Sequence, residues 1–196
     1  MTLSRVSTSS GAFSRTKLQS KSATTKSRTS ENSSMNETYD SLNPYNVEHI
    51  DGAYDYTFVT DSGREYVINF IDMTNYHADF QGVFMFNLYS ADKSPHPIDI
   101  RISHTVVDVL RKFFETQANS MVMICDNTDG KEYKRSRLFS RWFDIYATPD
   151  IAKYDASVNT EYYAIYASLY VHKLNPNANK IIKAFKDIVM NEFYPV

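Results

Sequence analysis

A chain of 196 residues, of which 42% are hydrophobic, has the length and composition of one globular domain. Its formal net charge of -2 gives no overall positive field of the kind that drives nonspecific nucleic-acid binding. A single cysteine, Cys125, excludes an intramolecular disulfide framework. The sequence contains neither an apolar run long enough for a membrane span nor a secretory signal, so we predict a cytoplasmic protein with no membrane partner.

The first 34 residues differ in composition from the rest of the chain. Half of them are Ser or Thr, and six Lys or Arg face one acid, Glu31. Few large apolar side chains are present to offset the chain entropy lost on folding, so we predict a disordered tail over residues 1–34. A single α+β domain is expected over residues 35–196. A nonessential extension before a start at Met35, a functional basic tail and an organellar targeting segment all fit this composition.

Three strands are predicted between residues 54 and 89. Apolar and polar residues alternate over 54–58 and again over 66–70, and Asp61-Ser62-Gly63 between them is typical of a hairpin turn. The run 83–89 is apolar enough to form a strand that is buried on both faces.

The middle of the chain alternates between helix and strand. Apolar residues at helical spacing from Val106 to Phe114 predict a first helix, with Ser103 as its N-cap. The run 121–125 is short and apolar, as expected of a buried strand.

The second predicted helix follows an acidic turn and carries an apolar stripe. The stripe consists of Leu138, Phe139, Trp142, Phe143 and Tyr146. Residues 162–171 are rich in strand formers, and a last helix is expected around residues 181–189. The predicted order is β-β-β-α-β-α-β-α, an α+β fold built on a mixed or antiparallel sheet.

The second predicted helix also carries the clearest charge pattern in the chain. Five cations, which we call the basic cluster, follow the acidic turn: Lys131, Lys134, Arg135, Arg137 and Arg141. Cations at a helix start oppose the helix dipole, which favours an external partner, whereas a solvated helix face neutralised by nearby acids is the alternative. We predict that the basic cluster binds an anionic ligand, a nucleic acid or an acidic protein.

Other candidate sites have simpler explanations. Cys125 beside a helix start has the setting of a nucleophile, but a cysteine that closes an apolar strand is more often a buried hydrophobe. Asp126, Asn127 and Asp129 begin like a calcium loop and lack its closing glutamate, and the histidines have no zinc-type spacing. The tyrosines within 162–170 suit base stacking or a buried sheet. We predict no metal site and assign no catalytic residue.

The element order resembles the central and C-terminal part of the GCN5-related N-acetyltransferase fold, over about residues 54–171. The resemblance implies acyl-CoA as cofactor, with its pyrophosphate on backbone amides at the start of the helix after the third strand. In an enzyme of this kind, residues 98–104 would hold acetyl-CoA and a tyrosine such as Tyr146 would be the acid. The segment 94–104 contains no glycine, so the residues themselves predict no cofactor.

Three motifs resemble a family of small bacterial proteins of unknown function, over nearly all of the chain after residue 35. They are Asn43-Pro44-Tyr45, the Tyr-x-Phe-x-Thr-Asp-x-Gly run at 56–63 and the run from Cys125 to Phe143. This resemblance implies no established activity. We therefore predict a noncatalytic cytoplasmic binding domain, with an acyl-CoA-dependent N-acetyltransferase as the alternative, and the oligomeric state is left open.

Overall fold

The computed structural model describes residues 19–21, 43–50, 54–92, 94, 97–125, 129–159 and 164–193. Over these ranges the chain has the predicted α+β architecture, with one mixed sheet of eight strands and three helices. The elements in chain order are β1 (Gln19–Lys21), β2 (Glu48–Ile50), β3 (Asp55–Val59), β4 (Glu65–Asp72), β5 (Val83–Tyr89), α1 (Ile100–Phe114), β6 (Ser120–Cys125), α2 (Glu132–Tyr146), β7 (Ile151–Asn159), β8 (Ala164–His172) and α3 (Ala178–Phe193).

The order of strands across the sheet is β1-β7-β8-β6-β5-β4-β3-β2. Neighbouring strands are antiparallel except β5 and β6, which run parallel. The parallel ladder is registered only at Val83↔Ser120, Phe84↔Met121 and Met85↔Val122. Because both strands continue beyond these positions, a gap opens between their carboxyl ends.

Helices α1 and α2 pack on one face of the sheet, and α3 packs on the other. The core of the first face combines strand residues such as Phe58, Ile68 and Phe86 with Val106 and Phe113 of α1. The core of the second face joins α3 to β6, β7 and β8 through Ile181, Ala184, Phe185, Val122, Leu169 and Ala156. A sheet with helices on both faces buries both sets of alternating side chains.

Aromatic rings hold α1 against the antiparallel half of the sheet. The rings of Phe70 on β4 and Phe113 on α1 stack with their centroids 4.2 Å apart and their planes at 7°. Tyr54 meets both rings edge-on, at 6.2 Å from Phe70 and 5.7 Å from Phe113. Offset and edge-to-face pairs of this kind add to the stabilisation from burial.

The sequence pattern did not predict β7 or the short strands β1 and β2, so the predicted element order was incomplete. Strand β7 pairs with β8 along its whole length, from Ile151↔His172 to Asn159↔Ala164. Residues 153–159 alternate strictly between polar and apolar side chains, which is the pattern of a half-buried strand, so the signal for β7 was present in the sequence and was overlooked.

The predicted N-cap of the first helix, Ser103, was wrong by four residues. Helix α1 begins at Ile100, and its N-cap is Asp99, whose side chain accepts a hydrogen bond from the Arg101 amide. Ser103 lies inside the helix, where its hydroxyl donates to the Ile100 carbonyl at 2.6 Å. The segment 98–104 is therefore mostly helix rather than a loop.

Strand β5 was predicted to be buried on both faces, and it is buried only in part. Val83 and Phe86 are buried, whereas Tyr89 at its carboxyl end is 51% exposed. Strand β8 begins at Ala164, and the first two tyrosines predicted for it, Tyr162 and Tyr163, lie outside the described residues.

The predicted tail, residues 1–34, also lies outside the described residues apart from Gln19–Lys21, which pair with β7. In the described part of the chain, no helix combines the length and the apolar character needed to cross a membrane.

Candidate functional site

Helix α2 begins beside the gap between β5 and β6. Gly130, with a φ of 66°, turns the chain just before the helix. Lys131 occupies the N-cap position and makes no capping side-chain hydrogen bond. The first-turn amides of α2 therefore lack the side-chain acceptor that most helix starts provide.

The basic cluster divides into one paired cation and four exposed ones. Arg135 donates to the Asp129 carboxylate at 2.6 Å, and this bond holds the pKa of Asp129 below its ordinary value. Lys131, Lys134, Arg137 and Arg141 are exposed. The last three follow helical spacing, so they lie along one face of α2.

Arg137 is held in place by its own helix. Its guanidinium carbon lies 5.8 Å from the ring centroid of Tyr133, and its Nη1 donates to the Tyr133 hydroxyl at 3.3 Å. Tyr133 contacts Tyr166 of β8 with ring centroids 5.9 Å apart. These contacts connect an exposed cation to the sheet.

The gap between β5 and β6 forms a cavity of about 560 Å³, which we call the strand cleft. Its walls are the carboxyl ends of the two strands and the start of α2: Phe86, Asn87, Leu88, Tyr89, Met123, Ile124, Cys125, Asp129, Arg135 and Phe139. Ligands of sheets with parallel strands bind preferentially outside the carboxyl ends of those strands. The strand cleft has this position, and Arg135 of the basic cluster is at its edge.

The start of α1 is occupied by an acid instead. Asp99 accepts from the Arg101 amide at 2.9 Å and from the Tyr45 hydroxyl at 2.6 Å. Burial, together with the bond to Asp99, raises the pKa of Tyr45, so the phenol remains a donor. Arg101 lies over the Tyr45 ring at 3.9 Å and binds Asp61 at 2.6 Å. A carboxylate at this helix start repels a pyrophosphate.

Sequence patterns missed a charged group beneath α2. Lys153, with a side chain only 3% exposed, binds Asp155 at 2.9 Å and donates to the Ser140 hydroxyl at 2.7 Å. Ser168 donates to the same carboxylate at 2.6 Å. The available signal was the alternating run 153–159, to which the sequence analysis assigned no element and in which Lys153 and Asp155 share one face of a strand.

The remaining candidates have different surroundings. Cys125 is 2% exposed at the end of β6, which agrees with a buried hydrophobe. Tyr146 lies at the far end of α2, with its ring 5.7 Å from that of His104. Asp126, Asn127 and His96 lie outside the described residues. Among the residues that the structure describes, no group of three or more His, Cys, Asp or Glu side chains is arranged to hold a metal ion.

Residues 98–187 match the model of a protein family of unknown function, DUF6169. The matched region begins at Ile98 and ends within α3, so it contains α1, α2 and the strands β6, β7 and β8. No curated protein matches the chain.

Proposed function

We propose that this protein is a noncatalytic binding domain that takes an anionic ligand at the strand cleft, with the basic cluster of α2 supplying the attraction. The observation that carries this proposal is the position of Arg135 and Asp129, which places the start of a cationic helix at the edge of a cavity of about 560 Å³. The gap in the sheet and the first turn of the cationic helix lie at the same place, which supports the binding of one ligand there.

The charges at the edge of the strand cleft favour an anion. Asp129 is the acid at this edge, and Arg135 already neutralises it. The exposed cations Lys131, Lys134, Arg137 and Arg141 do not line the cleft, and they add positive charge along the helix that begins at its edge. The uncapped amides of the first turn and the helix dipole act in the same direction.

Charge reversal on α2 tests the proposal. The double variant Arg137→Glu/Arg141→Glu is expected to bind the preferred anion about tenfold more weakly, because two exposed attractions become repulsions. Inorganic pyrophosphate, coenzyme A, ADP and a short single-stranded oligonucleotide are the probes, first by thermal shift and then by calorimetric titration.

The matched control reverses two exposed lysines on the opposite face. The variant Lys183→Glu/Lys186→Glu on α3 has the same change in net charge and is expected to keep the wild-type affinity. Equal affinities of both double variants and the wild-type protein for every probe would rule out the basic cluster as the binding surface.

An acyl-CoA-dependent N-acetyltransferase is the second candidate, and the strand cleft is also the observation that favours it. The edges of β5 and β6 that face the gap beyond Met85 and Val122 have no registered partner strand among the described residues. Such edges suit an extended, amide-bearing chain such as the pantetheine arm of CoA. Tyr146 is not among the residues that line the strand cleft, so a different acid would be required.

Asp99 separates the two candidates. If the pyrophosphate of CoA lies at the start of α1, Asp99→Asn removes a repulsive charge and strengthens binding of acetyl-CoA, whereas Arg137→Glu/Arg141→Glu has the smaller effect. If the anion lies at the start of α2, Arg137→Glu/Arg141→Glu changes the affinity more than Asp99→Asn does. Acetyl-CoA at about 100 times its dissociation constant should add about 2.7 kcal/mol to the stability of an acetyl-CoA-binding protein.

A further inference from the structure

A second cavity, of about 300 Å³, lies between α1, α2 and the sheet at the opposite end of α2. We call it the helix cavity. Its walls are two stripes of equal helical spacing, Val107, Leu110, Arg111 and Phe114 on α1 and Phe139, Trp142, Phe143 and Tyr146 on α2. Met121, Ile151, Tyr170 and His172 from the sheet and Glu115, Ala147 and Thr148 after the helices complete it.

Helix α2 leaves this space unfilled although it has the side chains to fill it. Its stripe contains Phe139, Trp142 and Phe143, yet none of the residues of α2 is buried. The cavity is open to solvent on one side, and its apolar walls lack contacts that an apolar ligand can supply. A volume of about 300 Å³ is at the lower end of the range for ligand sites. It suits a compound with one ring.

Two donors give the helix cavity a chemical preference. The Nδ1 atom of His172 accepts the Leu174 amide at 3.1 Å, which leaves Nε2 as the donor of this ring. His172 lines the cavity. Arg111 adds a guanidinium at the rim, and Glu115, one helical turn later, is the acceptor there. Among the lining residues Glu115 is the one carboxylate, whereas Arg111 and His172 supply nitrogen donors and Tyr146, Thr148 and Tyr170 supply hydroxyls that can also donate, so the lining favours a ligand with a carboxylate.

We propose that the helix cavity binds a small aromatic monocarboxylate, with the ring between the apolar stripes of α1 and α2 and the carboxylate toward Arg111 and His172. This site is separate from the strand cleft, and the proposal does not rest on the function proposed for the cleft. Phe139 lines both cavities, so it is the wall that divides them.

The full chain contains its own reporter for this test. Trp142, which lines the helix cavity, is the only tryptophan in the sequence. Titration with phenylacetate should produce a saturable change in tryptophan emission. The alcohol 2-phenylethanol has the same ring without the charge, and it should bind about fivefold more weakly, the difference expected for one charge-assisted hydrogen bond near the surface.

Two pairs of variants test the two parts of the site. Arg111→Gln should lower the affinity for phenylacetate to that for the alcohol, whereas Lys112→Gln, a neighbour that is ion-paired with Asp108 at 3.0 Å, should leave it unchanged. Ala147→Leu narrows the cavity and should weaken both ligands. Leu138→Ala, on the exposed side of α2, should weaken neither.

Three results would overturn the proposal. They are the absence of a saturable change with phenylacetate, an Arg111→Gln variant that binds phenylacetate as tightly as the wild-type protein does, and unchanged binding in Ala147→Leu. The double variant Arg137→Glu/Arg141→Glu supplies the control for the other site. Retained phenylacetate affinity in that variant supports two separate sites, and loss of it contradicts the independence of the helix cavity.

Discussion

Lys153 places an ammonium group under α2 with a side chain that is 3% exposed. Taking a charge out of water is costly unless hydrogen bonds and an opposite charge compensate for it. Ser140 of α2 and Asp155 of β7 provide both, and Ser168 of β8 holds the carboxylate in turn. One buried lysine thus links α2 to two strands.

Removal of Asp155 and removal of Lys153 should lower the free energy of unfolding by different amounts. Asp155→Ala is expected to lower the free energy of unfolding by about 2–3 kcal/mol, because it leaves a buried ammonium without its counter-charge. Lys153→Met should cost about 1 kcal/mol or less, since methionine fills a similar volume and the remaining carboxylate is still partly solvated. Urea unfolding measures both, and a larger cost for Lys153→Met would contradict this account.

At the scale of elements, the starts of the helices distinguish the two candidate anion sites. Helix α1 begins at Ile100 because Asp99 accepts the Arg101 amide, and the second carboxylate oxygen of Asp99 is taken by Tyr45. Helix α2 begins after Lys131 with no side-chain cap. The first helix start is occupied by a carboxylate that accepts a helix amide. At the second, Asp129 accepts the Lys131 amide at 3.1 Å and Glu132 lies in the first turn, but Arg135 pairs with Asp129 and four exposed cations follow.

The cap of α1 can be tested by stability. Asp99→Ala should lower the free energy of unfolding by about 1–2 kcal/mol, the usual cost of losing an N-cap, and Asp99→Asn should retain most of the stability because asparagine also caps. Ser103→Ala should cost about 0.5 kcal/mol or less, since the helix propensity of alanine offsets the lost hydroxyl bond. Urea unfolding of the three variants provides the measurement, and a larger cost for Ser103→Ala than for Asp99→Ala would show that the cap is misassigned.

At the scale of the whole molecule, one short ladder joins two antiparallel halves of the sheet. Strands β2 to β5 form one half, and β6, β8, β7 and β1 form the other. Gly82 lies at this junction, where its carbonyl accepts the Ser120 amide at 2.8 Å. Its φ is 71°, and a Cβ atom there would lie 2.8 Å from the Ala118 carbonyl oxygen. The close approach of backbones starts the parallel ladder and so sets the position of the strand cleft.

Gly63 offers a matched comparison for Gly82. It has a φ of 77°, and no atom lies within 4 Å of the position a Cβ would take. Gly63→Ala should cost about 1 kcal/mol from backbone strain alone. Gly82→Ala should cost about 2–3 kcal/mol or more, because the strain is joined by a clash with backbone that cannot move aside. Urea unfolding measures both variants. Equal losses of unfolding free energy would contradict this account, because they would show that the backbone around Gly82 accommodates a Cβ atom at no further cost.

The parts of the fold that were predicted correctly are those with a strong local pattern. The stripe Phe139, Trp142, Phe143 and Tyr146 marks a helix whatever it packs against, because helical spacing brings these residues to one side. Leu138, which was predicted to belong to this stripe, is 45% exposed on the other side of α2. Strand β7 was missed although its residues 153–159 alternate between polar and apolar side chains. What its sequence does not show is that Lys153 binds Ser140 of α2 and that Asp155 binds Ser168 of β8. The basic cluster was identifiable from composition, but the pairing of Arg135 with Asp129 and the nearby strand cleft were not.

The sequence by itself determined the α+β class, the three helices, most of the strands and the cationic character of α2, since each depends on residues within a few positions of one another. Only the tertiary structure decided the strand order, the single parallel ladder, the bond from Tyr45 to the Asp99 cap of α1 and the two cavities. Those features arise where segments far apart in the chain meet: β5 with β6, Tyr45 with Asp99, and α1 with α2. The spacing of apolar residues does not predict these contacts, because it shows which face of an element is apolar and not which other element covers that face.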